Sequence, residues 1–461
     1  MSGAPVRTAI RNDSDRNSAR ILCIAPLFVP TADSEAFCAA KMVEALLNCG
    51  ASVTVVSSTN MRPTALHDHS RSWDSVQSVS VDIPPPLERN RLHSIVAAAQ
   101  FQTPRFARWV GTVLHTATLL HKANNFDLVY SRSLPMIAHV AGFWCAKKLG
   151  LPWVANINDP WDLSFFPGVY PKLSRFAALA QMFWLRRTLR SADLITYPCV
   201  GLHEFHTNLA KLNHHAEIIP HIGSKAQSSN QAPNGKFRLV HAGKLGTAEV
   251  TRRSAKSLLV GLKAFVEGSA DAAEDTTLVL VGPEDKETQS CILKLGLQRN
   301  VETVGRVNYE DSLNYIASSA ACILIESSTG KGESIVFPSK LADYLVSGKP
   351  VLGISPQIGI TAELARRGEL IRVDPDESDA IQNAISMLYS EFKYGTLSSR
   401  RPSNRLITQL EGRCVAERLL GACQVLTSRS QADRCTTRLK TTYDEGSLFE
   451  RRSPWEHFRW L

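Results

Sequence analysis

Nowhere in the 461 residues does an uninterrupted apolar run approach the roughly 18 that a bilayer-crossing helix needs, which argues against a membrane-spanning protein. The polar start, with Arg7, Arg11, Asp13, Asp15 and Arg16, lacks the apolar stretch of a secretory leader. A cytoplasmic protein is therefore expected. Its ten cysteines are scattered without a Cys-x-x-Cys pair, so neither a disulfide framework nor a cysteine metal site is indicated, and the thiols read as small buried apolar groups. Basic residues outnumber acidic ones, giving a net charge of +9, but they are not interleaved with aromatics in one module. No nucleic-acid partner is expected. The positive balance suits anionic lipid surfaces or phosphorylated substrates instead.

With 44% hydrophobic residues, the chain can bury a large core and divides into two domains and a tail. Strand-length apolar runs recur with helical stretches between them: Arg20–Pro26, Ser52–Ser57, Phe126–Tyr130, Trp153–Ile157, Asp193–Tyr197 and Glu217–Pro220. A polar, turn-rich stretch from Ser224 to Gly235 interrupts them. The alternation restarts with Phe237–Ala242, Thr277–Val281, Val301–Val304, Ala321–Ile325, Pro350–Ile354 and Leu370–Val373. This pattern predicts α/β architecture with two doubly wound parallel sheets covered by helices on both faces. The expected division is a flexible segment 1–18, a first domain 19–222, a linker 223–235, a second domain 236–426 and a tail 427–461. An amphipathic helix around Arg405–Val425 closes the second domain, and Thr427–Thr442 reads as loose. The tail ends in Trp455, Phe458 and Trp460, whose burial against the first domain, a partner or a membrane is expected.

The densest signal is Phe337-Pro-Ser-Lys-Leu-Ala-Asp-Tyr-Leu-Val-Ser-Gly-Lys-Pro-Val-Leu352. Pro338 and Ser339 suit a helix start, Gly348 suits the left-handed turn that ends it, and Pro350 prevents its resumption. Lys340 and Asp343, three residues apart, offer a cation and a carboxylate from one face near the positive end of the helix dipole. A diphosphate and a ribose diol are natural partners for that pair. The segment resembles the donor-binding signature of family 4 glycosyltransferases of the GT-B fold, two Rossmann-like domains facing a cleft. That resemblance implies metal-independent transfer of a sugar from a nucleoside-diphosphate sugar to an acceptor hydroxyl, with retention and no cofactor. It gives Asp343 the role of ribose ligand. The family's second acidic residue falls eight positions earlier, on Ile335, and Glu333 is the nearest carboxylate to stand in for it.

Ligands of open parallel sheets bind beyond the carboxyl ends of the strands, which selects further loops. Gly243-Lys-Leu-Gly-Thr-Ala-Glu-Val-Thr-Arg-Arg253 resembles the family's glycine loop with a following basic residue, so Lys244 and Arg252 or Arg253 join Lys340 as diphosphate ligands. An ordinary strand-to-helix loop is the rival reading. Gly282 suits a close approach of the backbone to the nucleotide, and Ser339 joins it and Asp343 on the nucleotide and ribose side. In the first domain, Asn156-Ile-Asn-Asp-Pro-Trp-Asp162 resembles an Arg-Asp-Pro-Trp step of some members, with Asn158 in place of Arg. Asp159 and Glu333 are the candidate catalytic carboxylates, and Arg132 is an acceptor-side candidate for a carrier phosphate. Asp-Pro turns and surface carboxylates without any such role look the same in sequence. No Gly-Gly occurs in Ala25–Ser34, leaving Ala32 and Ser34 as the small residues of the first loop.

Two basic apolar helices, Arg105–His121 and Lys172–Arg190, suit either a peripheral seat on the inner membrane surface or the covering of a sheet. The expected partners are a nucleotide-sugar donor and a saccharide or lipid-linked acceptor of surface polysaccharide, lipopolysaccharide or glycolipid biosynthesis. A non-catalytic scaffold on the same fold and a nucleotide-sugar epimerase or hydrolase are the alternatives.

Overall fold

The apolar runs form two sheets in which every pairing is parallel. The computed structural model describes residues 18–61, 66–84, 104–161, 175–226, 235–246, 253–326 and 332–435. The first domain runs β1 (Arg20–Ile24), α1 (Ser34–Asn48), β2 (Ser52–Ser57), β3 (Gln77–Ser80), α2 (Pro104–Asn124), β4 (Leu128–Arg132), α3 (Ile137–Leu149), β5 (Trp153–Asn156), α4 (Arg175–Ser191), β6 (Leu194–Tyr197), α5 (Val200–Ala210) and β7 (Ala216–Ile218). Its sheet order is β3-β2-β1-β4-β5-β6-β7.

The second domain runs β8 (Phe237–Ala242), α6 (Lys256–Glu267), α7 (Ala270–Asp275), β9 (Thr276–Val281), α8 (Lys286–Leu295), β10 (Val301–Gly305), α9 (Tyr309–Ala317), β11 (Ala321–Ile325), α10 (Ser339–Val346), β12 (Val351–Ile354), α11 (Ile360–Arg366), β13 (Ile371–Val373) and α12 (Ser378–Lys393), and is followed by α13 (Asn404–Leu410) and α14 (Gly412–Cys435). Its sheet order is β10-β9-β8-β11-β12-β13. Both are Rossmann-like, with the order reversing between β1 and β4 and between β8 and β11. Those two switch points are where such sheets bind ligands.

Strands buried on both faces are mostly apolar, and β11, Ala-Cys-Ile-Leu-Ile, is buried at every position. Edge strand β3, Gln-Ser-Val-Ser, is mostly exposed and carries no apolar run to announce it. Helix α2 lies on the first sheet, with Trp109, Val113 and Ala117 fully buried, so its apolar face covers the strands.

The chain's last helices depart from the single helix expected over Arg405–Val425. Glu411 is extended, with φ −73 and ψ 147, and separates α13 from α14. The turn lays α14 along α1, and Val415, Ala416, Leu419, Cys423 and Leu426 enter a core shared with Ala39, Val43 and Leu46 of the first domain. The polar stretch expected to be loose is helical as far as Cys435, since it contains no glycine or proline to stop the helix. The aromatic residues of the tail lie outside the described residues.

Burial also sets the acid response of the fold. His139, His206 and His241 are pushed down to about 3 and His221 to about 4, burial being the main cause in each. Their folded values lie below the unfolded histidine value, so the stability they confer is present above pH ~6.5 and is lost as pH falls through the folded values. Urea unfolding followed at pH 7 and pH 5 should give a lower midpoint at pH 5. A midpoint that rises on acidification would place these imidazoles in solvent.

Candidate active site in the interdomain cleft

The second-domain wall of the cleft is built from two glycines and two cations. Gly243, just after β8, has φ +147, and Gly282, just after β9, has φ +153, conformations that side chains rarely adopt. A Cβ on Gly282 would stand 2.3 Å from the Gly243 carbonyl oxygen, and one on Gly243 would stand 1.6 Å from Lys340 Nζ. The missing side chains therefore leave the room that the Lys340 ammonium occupies.

Lys340 sits in the first turn of α10, whose cap is Pro338 and whose end is followed by Gly348 at φ +70. Burial first, then the nearby Arg253 charge, pushes its pKa down to about 7. Arg253 is lowered by burial, against which Glu326 and Asp159 raise it. Glu326, at the carboxyl end of β11, is pushed up to about 7 by burial and accepts from Thr361 Oγ1 at 3.0 Å. Two adjacent cations beside glycine backbone are an arrangement that suits a diphosphate, since a bound anion would relieve their mutual repulsion.

Across the cleft, Asp159 follows β5 and acts on Arg253, His221 and Glu35. The Glu35 carboxyl, in the first turn of α1, accepts from Asn158 Nδ2 at 2.9 Å. Burial, then the Asp159 charge, holds it well above the usual carboxylate range. Asp159 and Glu35 thus form a carboxyl pair in which one member keeps its proton near neutrality. Raised titration means that Glu35 opposes folding progressively as pH climbs from the unfolded glutamate value toward the folded one. A Glu35→Gln variant should accordingly gain on the wild type in thermal stability at pH 8 and not at pH 4.

The remaining sequence candidates separate. Asp343 Oδ1 accepts from Lys41 Nζ of α1 at 3.0 Å, from the Ser224 amide at 2.8 Å and from the Tyr309 hydroxyl at 3.2 Å. The carboxylate read as a ribose ligand is here the centre of a buried clamp between the two domains. Lys244 is exposed at the loop surface, and Arg252 lies outside the described residues. Ser339 reaches Cys38 of α1. Gly282 lines a small recess with Thr303, Asp285 and Gln289. Glu333 stands apart, in a second interdomain cavity with Ile335, whose carbonyl accepts from Cys199 Sγ at 3.3 Å. Arg132 is only 4% exposed, and its Nη1 donates to the Tyr130 hydroxyl at 2.6 Å. Its guanidinium is thus held within the first domain.

Sequence reasoning passed over Lys41, Glu35 and His221 and gave the Glu326 side chain no role. Glu35 had a usable signal, because Asp33 caps α1 directly after the β1 loop and accepts from the Glu35 amide at 3.0 Å. Glu326 had one too, as the first residue beyond β11 at a switch point.

The two domains match two family models. Residues 36–220 match the glycosyl transferase 4-like domain, and residues 250–394 match glycosyl transferases group 1. No curated protein matches the chain by sequence. Sucrose-phosphate synthase from Thermosynechococcus elongatus superposes with a TM-score of 0.60 at 13% identity, over 89% of this chain and 100% of that one. Anabaena Alr3699/HepE, solved in complex with UDP-glucose, superposes at 0.59 with 15% identity, over 88% of this chain and 99% of that one. A putative UDP-N-acetylglucosamine 2-epimerase from Listeria monocytogenes superposes at 0.54 with 14% identity, over 89% and 97%. At such identities the superpositions establish the shared fold and leave the chemistry to the site. With a glycosyltransferase domain matched on each side of the cleft, and two Rossmann-like sheets forming it, the chain belongs to the GT-B glycosyltransferases.

Proposed function

We propose that this protein is a family 4 hexosyltransferase that moves a sugar from a nucleoside-diphosphate sugar to an acceptor hydroxyl with retention at the anomeric carbon. The observation that carries the reading is the pairing of Lys340 and Arg253 beside Gly243 and Gly282. Departure of a nucleoside diphosphate puts negative charge where these cations stand, and fixed charges at that place stabilise the transition state. Two cations supply this neutralisation without a divalent metal. A donor phosphate oxygen would serve as base in a same-face substitution, with the carboxylate of Asp159 steadying the cationic sugar centre. The UDP-glucose bound to Anabaena HepE supports the choice of donor class.

The acceptor is read as a saccharide or lipid-linked molecule of surface polysaccharide, lipopolysaccharide or glycolipid biosynthesis, handled at the inner membrane face. Leu179 and Phe183 on α4 are 68% and 58% exposed, on a helix that also carries Arg186, Arg187 and Arg190, which supports a peripheral contact with anionic lipid. Among the described residues, no helix is long and apolar enough to cross a membrane.

Lys340→Ala should weaken nucleoside diphosphate binding by about 1.5–3 kcal/mol in calorimetric titration, the usual worth of a charge-assisted contact. Unchanged affinity in a folded variant would remove the seat. Because Lys340 titrates near 7 and a bound diphosphate raises that value, binding at pH 8 should take up a proton and weaken as pH rises. Calorimetry in buffers of different ionisation enthalpy reads that proton directly. An epimerase needs acid and base groups flanking the sugar, whereas Glu35 and Asp159 both belong to the first domain. A non-catalytic nucleotide-binding chain is favoured by one observation, the buried Ile335 at the family's acidic position.

A further inference from the structure

The cavity that holds Glu333 has a volume of about 380 Å³ and lies between α5 of the first domain and the loop and helix around Ser334 and α11 of the second. That volume is in the range of pockets that take a small organic ligand. Phe205, Leu209, Ile335 and Ile358 give it apolar walls. Ser334 lines it and is 4% exposed, and its buried hydroxyl has no hydrogen-bond partner among the described residues. A buried hydroxyl in that state is satisfied by a ligand that can bond to it. Three carboxylates line the cavity, and among the described lining residues there is no lysine or arginine. Glu363 is paired with Arg366 and Arg367. Glu204 and Glu333 have no cation paired with them among the described residues.

Helix α11 connects the cavity to the neighbourhood of Arg253. Ile360 and Glu363 line the cavity, and Thr361 of the same helix donates through Oγ1 to the Glu326 carboxylate at 3.0 Å, which in turn acts on Arg253. We propose that this cavity is the acceptor subsite and that it takes an amine-bearing amphiphile, such as an amino-sugar glycoside with an apolar aglycone, in preference to a phosphorylated lipid carrier. The two open carboxylates attract an ammonium and repel a phosphate, while the walls take the apolar part and Ser334 a hydroxyl. The term acceptor rests on the glycosyltransferase reading above. The choice of ligand rests on the cavity alone.

The test is calorimetric titration of the full chain with an octyl glucosaminide, an octyl glucoside and an octyl glucoside phosphorylated on the sugar, each with and without a saturating nucleoside diphosphate. The glucosaminide should bind about tenfold more tightly than the neutral glucoside, and the phosphorylated probe least. Glu204→Gln with Glu333→Gln should erase the preference for the amine. Asn208→Trp, which fills the cavity from its exposed rim, should abolish binding of all three probes and leave nucleoside diphosphate affinity intact. Equal or tighter binding of the phosphorylated probe, no binding of any probe, or indifference to Asn208→Trp would each overturn the proposal. Amphiphile binding without any nucleotide binding would sink the glycosyltransferase reading and leave the cavity's ligand class standing.

Discussion

Replacing Lys41 by methionine should cost the protein about 3–5 kcal/mol, the usual penalty for stranding one partner of a buried ion pair. Lys41 and Asp343 have side chains only 3% and 9% exposed, and their 3.0 Å contact joins α1 of the first domain to α10 of the second. Burial alone would push the ammonium down, but Asp343, Tyr309 and Cys38 together outweigh it and hold the lysine above its ordinary pKa. Tyr309, which donates to the same carboxylate oxygen, also stacks on Phe37 of α1 at 4.6 Å, so the pair sits inside a wider contact between the domains. Removal of the lysine leaves a largely buried carboxylate without its cation. The combined change Lys41→Met with Asp343→Asn should recover most of the loss, because no charge is then buried alone. Urea unfolding of the three variants decides it. A single mutant within about 1 kcal/mol of wild type would mean that the contact is loose and solvated.

Gly282→Ala should be comparably severe and should act on binding as well as stability. The new methyl meets the Gly243 carbonyl oxygen at 2.3 Å, and that atom belongs to backbone and cannot swing aside. The φ of +153 adds about 1–3 kcal/mol for any residue with a side chain, and overpacking adds a similar amount. Relief requires the β8 loop to move, and the same loop leaves the space for Lys340. Thermal unfolding and nucleoside diphosphate titration should therefore both suffer, whereas Gly305→Ala, at φ +79 with nothing within 4 Å of its missing Cβ, should affect stability alone.

Much of this architecture was legible in the sequence because doubly wound sheets write themselves as apolar runs. β1, β8 and β11 lie at the core of their sheets; β11 reads as an unbroken hydrophobic segment, and β1 and β8 as apolar runs interrupted only by Arg20, Arg238 and His241. β3 was not legible, being a polar edge whose pairing with β2 comes from backbone bonds. The helix starting at Ser339 was legible from its proline and glycine punctuation. The surroundings of its two charged side chains were not. Lys340 faces the glycine loop, but Asp343, on the same helix, meets Lys41 across 302 residues of chain. Spacing along one helix says which side chains share a face and nothing about which domain closes over it. The return of α14 to the first domain escaped for the same reason. Its small and branched residues fit a helix packed on either sheet, and only the turn at Glu411 decides which.

Chemical turnover at the Lys340 and Arg253 seat is what separates a transferase from a nucleotide-binding protein. The direct measurement is release of free nucleoside diphosphate from a panel of nucleotide sugars, run with the wild type and with Lys340→Ala, in the presence of glycoside acceptors. One donor turned over by the wild type, with the rate lowered at least tenfold in the variant, is the predicted result. Tight donor binding with no diphosphate released from any member of the panel would contradict it and leave a nucleotide-binding protein that does no transfer.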